Sequence, residues 1–510
     1  MKKNKLHILT VFFSIMLLTL LSFSASAEDV PTAEYLTKTV DSVEYHLYET
    51  NGEKVAVAYK FVGNEEVTEL NILSEVDGYK VKTVDEEFNN NTDFSNITVV
   101  NIGENIETLK NIFSRKAMTS LKKINLPSLI KRIESWQFYR FETIEEINLE
   151  NIQYIGSWAF CGCKNLKNVT FSESLEMIDF EAFRESGLEA VTIPAKTKLS
   201  STEIEAIGGY FRGCENLKTV IFEDRAENNK TFSIDEFTFL NCKSLEKIVL
   251  PKNVEKILVD YGAFLNCKNL KSFDFSNVIS IYDMAFENCE DLTKVNFSDN
   301  LKVIGCHAFA GTGIKTVTIP SKTELACELS ADGDHDDEFP YEDKSGQFRD
   351  CKNLKTVVFE DKEKSKLYIP YYTFTNCTSL KKVYLPEDIK ITIAMRAFKN
   401  CKSLTKVYGS ENIVEIGDAA FSYCKSLKEI TLGKNLKTVG EKAFLGCSKL
   451  ARVNLESTKT APTFGRKAFS ATADGIKFVA DKTIAKKVKT NLKNTATKNA
   501  KVYSVSYSKV

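Results

Sequence analysis

The stretch FLNCKSLEKIVLP at Phe239–Pro251 returns as FTNCTSLKKVYLP at Phe374–Pro386, and looser versions of it run along most of the 510-residue chain. Its anchor is the Phe of A-F-x-x-C-x-x-L, found at Phe88, Phe113, Phe138, Phe160, Phe183, Phe211, Phe239, Phe264, Phe286, Phe309, Phe348, Phe374, Phe398, Phe421, Phe444 and Phe469. These sixteen anchors lie 22 to 28 residues apart, except for one interval of 39 that holds an insertion at Ser321–Gly346. A short unit repeated at near-constant spacing predicts a solenoid, which offers an extended surface and, as a rule, no deep catalytic cleft.

Each unit reads roughly as L-x-x-[IV]-x-[LF]-P-x-x-L-x-x-I-G-x-x-A-F-x-x-C-x-x. Its first half alternates like a half-buried strand: Ile248 and Leu250 point one way, Lys247 and Val249 the other. One such turn exposes as much apolar surface as it covers, so it cannot fold alone. Stacking places Leu, Ile, Phe and Cys over their counterparts, and burial at about 25 cal/mol per Å² then offsets the ordering entropy. Sixteen strands at roughly 4.8 Å make an arc on the order of 70 Å.

A longer period lies above the first. The segment from Trp158 to Phe264 matches that from Asp283 to Phe398, with SGLEAVTIPAKTKL against TGIKTVTIPSKTEL and FRGCENLKTVIFED against FRDCKNLKTVVFED. The shift is 126 residues from Phe183 to Phe309 and 137 from Phe211 to Phe348. This predicts duplication of a block of about five turns, each copy with one lengthened connection after its T-I-P strand.

Residues 1–27 read as a secretory signal: Lys2, Lys3 and Lys5, an apolar run over Val11–Leu21, then Ala25-Ser26-Ala27. The run is too short for a membrane anchor and no second one follows. There is also no lipidation Cys after the signal and no L-P-x-T-G sorting motif. Removing the three lysines takes the formal charge from −1 to about −4, a balance that does not point to nucleic acid. The expected organisation is therefore a signal over 1–27, an N-terminal β cap over 28–75, repeats over 76–475 with the acidic insertion at 321–346, and a C-terminal cap over 476–510.

Thirteen cysteines in an exported chain would ordinarily suggest disulfides. Ten of them (Cys163, Cys214, Cys242, Cys267, Cys289, Cys351, Cys377, Cys401, Cys424 and Cys447) fall instead on one repeat position, which is Ser at 186 and Thr at 312 and 472. That position wants a small side chain able to hydrogen-bond backbone, which favours buried free thiols over cross-turn bridges. Cys161, Cys306 and Cys327 stand out of register.

The ends of the stack need covering. Val43–Tyr48 and Lys54–Tyr59 alternate around Asn51-Gly52, a hairpin signal that supplies an N-terminal cap. After Phe469, Ile476–Val479 reads as a last strand, and Ile484, Val488 and Leu492 mark one face of a short lysine-rich helix. The helix reads as a closing cap or, through Lys482, Lys486, Lys487, Lys489 and Lys493, as a wall or membrane contact.

The unit, with L-P after the strand, I-G before A-F and C-x-x-L after it, resembles the BspA-like class of leucine-rich repeats over roughly residues 70–475. The resemblance implies an α/β-type solenoid, a right-handed superhelix of about sixteen turns with a parallel sheet on one face. It also implies a bacterial secreted or cell-surface protein that adheres to host, matrix or neighbouring-cell ligands, protein or glycan, with no activity and no cofactor.

On the strand L-x-x-[IV]-x-[LF], the third and fifth residues face outward and chart the candidate binding surface. Most fifth positions are polar: Asn125, Asn148, Thr170, Thr192, Asn296, Thr318, Thr431 and Asn454. The pattern breaks beside the lengthened connections, at Ile221 and Val249 in one copy and Val358, Tyr384 and Tyr408 in the other, with Lys247, Lys382 and Lys406 at third positions. Exposed aromatic and aliphatic residues flanked by lysines suit a protein contact; the plainer account is that they are good strand formers on an open face.

Other chemistry is poorly supported. Asp332, Asp334, Asp336, Asp337 and Glu338 alternate like the start of a calcium loop, but Asp337 stands where Gly is needed and Asp343 where Glu is needed, so a solvated loop fits better. His46, His307 and His335 have no nucleophile placed by a known motif, and Cys306 beside His307 reads as an accident of register. There is no H-E-x-x-H, phosphate-binding Gly loop or C-x-x-C pair. Two non-catalytic readings remain: a recognition or adhesion scaffold, and an envelope or matrix component that self-associates.

Overall fold

The structure is a computed structural model that describes residues 35–89, 93–199, 208–225, 230–326, 346–360, 366–456, 460–495 and 497–506. The signal segment, Cys327, His335 and the acidic carboxylates at 332–338 lie outside the described residues.

The chain forms a solenoid of about 17 turns. The strand read from the sequence is present in turn after turn, as in Ala190–Ile193, Thr219–Phe222 and Lys247–Val249, paired in parallel with Thr192 opposite Ile221 and Ile221 opposite Val249. From Arg132–Ile133 onward each turn also carries a second parallel strand, in several turns just before the I-G glycine, as in Ile413–Ile416, Thr438–Val439 and Thr463–Phe464. The glycine follows from close stacking: a Cβ on Gly156 would sit 2.5 Å from the Ser135 backbone nitrogen, and one on Gly465 2.5 Å from that of Glu441. The remaining side of the turn is built of tight turns, with α-helix only at Ala485–Asn491 among the described residues.

That third side explains the A-F-x-x-C motif. Phe138 N donates to Ala159 O, Phe160 N to Ala182 O and Phe264 N to Ala285 O, and every anchor from Phe138 to Phe444 is hung in this way by its amide from the next turn. The anchor rings then stack without interruption from Phe138 to Phe469, as in Phe286 on Phe309 at 5.3 Å and 5°. The 39-residue interval does not break the column, since Phe309 and Phe348 lie 5.4 Å apart. Phe113 alone of the anchors is half-buried, and meets Phe138 edge-on. Asn recurs before the Cys because that residue has a left-handed backbone, at 62° for Asn241 and 63° for Asn266, which Asn tolerates. Its side chain in turn bonds along the axis, Asn266 Nδ2 to Asn241 Oδ1 at 2.9 Å.

The cysteine position is settled by hydrogen bonding. All ten in-register thiols donate to the anchor carbonyl of the preceding turn at 3.0–3.3 Å, from Cys163 to Phe138 O through Cys447 to Phe421 O. Ser186 and Thr312 hold the same column by contacting Cys214 and Cys351 at 3.3 and 3.2 Å. Eleven described cysteines are free and buried, whereas Cys306 is disulfide-bonded. Burial pushes Cys161 up to about 11 and Cys214 up to about 12, so the thiolate is scarce at neutral pH. A thiol-reactive chromogen at pH 8 is therefore expected to label none of the eleven within minutes in the native protein and all of them in guanidinium. Fast native labelling of several would contradict the stacked column.

Both ends are capped. Val43–Thr50 and Glu53–Phe61 pair around Asn51-Gly52, with φ of 52° and 79°, and Leu36–Val40 and Tyr79–Val84 flank them in one five-stranded sheet. Buried Tyr45 closes the open edge of the first solenoid strand: Leu73 N donates to its hydroxyl at 3.0 Å, and the hydroxyl donates to Asn71 O at 3.4 Å. At the other end the strand Lys477–Asp481 leads into the helix, whose Val488, with Ile484 and Leu492, is buried as a closing cap requires. A further strand, Lys501–Val505, pairs beside Lys477–Asp481, and the sequence pattern did not reveal it.

Candidate binding surface

The first sheet presents one column of side chains, turn over turn, at the fifth strand position. Its N-terminal part is amide: Asn101 Nδ2 donates to Asn71 Oδ1 at 2.7 Å, and Asn125 Nδ2 to Asn101 Oδ1 at 2.6 Å. Asn148 departs from the ladder. Its Oδ1 accepts from Leu126 N at 2.6 Å and its Nδ2 donates to Leu126 O at 3.0 Å, so a side chain takes the place of a strand partner. There the ladder opens, only isolated bridges linking Leu149 to Phe171 and Asn168 to Ala190, and a polar cleft of about 740 Å³ lies over Asn125, Glu146, Asn148, Asn168 and Thr170.

The eight residues singled out from the sequence fall into two groups that do not meet. Ile221, Lys247 and Val249 stand on the three strands that end at Lys247–Val249. Val358, Lys382, Tyr384, Lys406 and Tyr408 stand on Thr356–Phe359, Lys382–Tyr384 and Lys406–Tyr408, in a sheet that begins at Thr316–Ile319. In this second group Tyr384 and Tyr408 face each other in register, their rings stacked at 4.5 Å and 3°, with Tyr408 exposed and Tyr384 half-buried. Lys382 is exposed, and Lys406 reaches Glu429 at 3.2 Å with its ammonium 6.0 Å from the Tyr408 ring. That ion pair is solvated and worth little by itself. Ile221 is exposed, while Val249 and Val358 are half-buried.

The histidines have structural surroundings. His46 is sandwiched between Tyr35 and Tyr59 at 4.0 and 3.9 Å in the cap. His307 is buried with Nδ1 3.6 Å from Glu287, and its neighbour Cys306, being disulfide-bonded, is no free nucleophile. Among the described residues no group of three His, Cys, Asp or Glu is placed to share a metal ion, and no helix is long and apolar enough to cross a membrane.

A cluster the sequence did not flag lies under the second sheet. The Tyr154 hydroxyl donates to the buried Asp179 carboxylate at 2.5 Å. Farther on, Asp235 lines a hollow of about 310 Å³ with Lys198, Arg225 and Ser233, and burial pushes its carboxyl up to about 6. A carboxyl raised on folding holds its proton more tightly in the native state, so its contribution is best below pH 4 and is lost as pH rises from 4 to 6. Asp235→Asn is expected to stabilise the protein by about 1–2 kcal/mol at pH 7, discounted for solvent screening, and to make no difference near pH 4. Thermal unfolding followed by circular dichroism at the two pH values checks this.

The sequence profile of the BspA type leucine rich repeat region matches residues 82–205, 205–328 and 344–477. A leucine-rich repeat protein from Bacteroides ovatus is similar over 92% of this chain and 99% of its own, at 21% identity and a TM-score of 0.52, a likeness of fold. A leucine rich cell surface protein from Faecalibacterium prausnitzii is 17% identical, with a TM-score of 0.29 over 94% of this chain and 96% of its own. The pneumococcal vaccine antigen PcpA is 12% identical, with a TM-score of 0.32 over 92% and 99%. No curated protein matches.

Proposed function

We propose a function for a chain that belongs to the BspA-type leucine-rich repeat family: an exported, non-catalytic scaffold that binds a protein or glycan on host, matrix or neighbouring-cell surfaces. The signal read over residues 1–27 supports export. The observation that carries the binding reading is the stacked Tyr384–Tyr408 pair beside Lys382 and Lys406 on an open sheet face. Two aligned aromatic rings with cationic neighbours are a compact, pre-ordered contact of the kind that dominates interface energetics.

The test is binding of the chain without residues 1–27 to immobilised matrix proteins and cell-wall material, beside the double variant Tyr384→Ala/Tyr408→Ala. Saturable binding that the variant loses by roughly 2 kcal/mol or more, with thermal unfolding little changed, is the expected result. Equal binding by the variant removes the patch from consideration. Concentration-dependent self-association without saturable ligand binding replaces the adhesive role with the structural one.

A further inference from the structure

Trp136 and Trp158 are the two tryptophans of the chain, and they occupy the same place in adjacent turns, two residues before the anchor Phe. Their indoles stack with centroids 4.9 Å apart and planes 5° apart. Tyr139 meets Trp136 edge-on at 4.9 Å, and on the far side Phe180 meets Trp158 at 5.6 Å with Arg184 5.4 Å from its ring. One face of Trp136 lies on Trp158 and Tyr139 takes one side, yet 50% of its surface is exposed.

The fold does not require tryptophan here. The position is left-handed in turn after turn, with φ of 65° at Trp136, 60° at Trp158, 52° at Ala419, 55° at Lys442 and 54° at Lys467. Side chains of every size stand there, Phe237, Tyr372 and His307 as well as Ala419, Lys442 and Lys467, so the conformation does not call for tryptophan. A half-exposed indole held in place by Trp158 and Tyr139 is a pre-ordered aromatic surface of the kind that ligands contact.

We propose that Trp136, backed by Trp158, is a carbohydrate platform that stacks the C–H face of one pyranose ring of a glycan. The rings lie face to face, so there is no slot between them for the ridges of a proline-rich peptide. Charged groups of both signs flank the pair: Arg140 lies 5.3 Å from the Tyr139 ring beside Trp136, and beyond Trp158 Arg184 is held by Glu181 at 2.8 Å and Glu185 at 3.1 Å. Mixed donors and acceptors suit sugar hydroxyls, which are both. The carboxylates, and a chain whose net charge is −1, oppose the phosphate that would accompany a stacked nucleobase. The platform follows the second sheet at Arg132–Ile133 and Tyr154–Ile155, whereas Tyr384 and Tyr408 stand on the first, so the two readings stand or fall separately.

Because no other tryptophan is present, emission excited selectively from tryptophan, beyond the tyrosine absorption band, reports on this site alone. The whole chain would be titrated with chitotetraose, cellotetraose and mannotetraose. A saturable change in emission with at least one of them is expected. By calorimetry, Trp136→Ala should bind that sugar about tenfold more weakly or worse, Trp136→Phe should recover part of the loss, and Tyr384→Ala/Tyr408→Ala should bind it unchanged. Ala419 shows that alanine is accommodated at this position, so the alanine variant should fold, which its circular dichroism checks. Silence from all three sugars at millimolar concentration, undiminished binding by Trp136→Ala, or a saturable response to polyproline or AMP in their place would overturn the proposal.

Discussion

Phe286→Ala is expected to destabilise the solenoid by about 3–5 kcal/mol, the range for deleting a fully buried phenylalanine. The ring is completely buried, stacks on Phe264 at 5.2 Å and Phe309 at 5.3 Å, and is met edge-on by Phe273 at 5.0 Å. Its neighbours cannot collapse into the cavity, because each anchor is fixed by its own amide bond to the next turn, as Phe264 is to Ala285 O and Phe286 to Ala308 O. The cost therefore includes the void as well as the lost transfer energy. In a stack whose turns touch only their neighbours, the damage should also be local. Hydrogen exchange should speed up in the turns around residues 264–309 more than at either cap. Phe113→Ala, at a half-buried anchor near the end of the column, should cost clearly less. Equal losses at the two sites, or a loss under about 1 kcal/mol at Phe286, would mean that the ring column is not the main source of cohesion.

Side-chain positions that recur at a fixed place in the turn were legible, as were the hairpin and helix with a clear pattern of their own, whereas elements too short or too exposed to alternate were not. Anchor, thiol and strand positions recur in turn after turn, so a single reading of Phe239–Pro251 transfers along the chain, and the in-register Cys column could be separated from a disulfide framework before any coordinates. The second strand of each turn was missed because it is short, often two residues such as Val303–Ile304, and ends at a glycine that reads as a turn. The last strand, Lys501–Val505, is mostly exposed and has no alternation to betray it. At the surface, outward residues could be picked by period but not grouped. Ile221 and Val358 occupy equivalent places in the duplicated blocks, yet the ladder runs on from Val358 through Tyr384 to Tyr408, while from Ile221 it ends at Val249. The tryptophan pair had one available signal, the 22-residue spacing of Trp136 and Trp158, which equals the spacing of Phe138 and Phe160.

Gly187→Ala and Gly313→Ala should each cost roughly 1–3 kcal/mol, as an extra methyl does in a place with no room. The two glycines are counterparts in SGLEAVTIP and TGIKTVTIP. A Cβ on Gly187 would lie 1.9 Å from Lys164 O, and one on Gly313 2.2 Å from Glu290 O. Neither obstacle is a flexible side-chain end. Each is a carbonyl of the preceding turn, and the same stretch of chain is already bonded across, Gly187 N to Cys163 O at 3.0 Å and Lys315 N to Thr293 O at 3.2 Å. Relief requires the turn to lift away from the preceding one, and the seam that opens lies over the thiols of that turn, Cys163 below Ser186 and Cys289 below Thr312. Both variants should accordingly lower the thermal midpoint and expose Cys163 or Cys289 to a thiol reagent under native conditions. The contrast is Gly52→Ala in the cap hairpin, where nothing lies within 4 Å of the added methyl and only the left-handed φ of 79° opposes it. There the loss should stay near 1 kcal/mol, with every thiol still protected. Matching losses at Gly187 and Gly313 would mean that the two blocks share their backbone contacts as well as their sequence. A loss at one alone would mean that the lengthened connection has let one copy drift from the other.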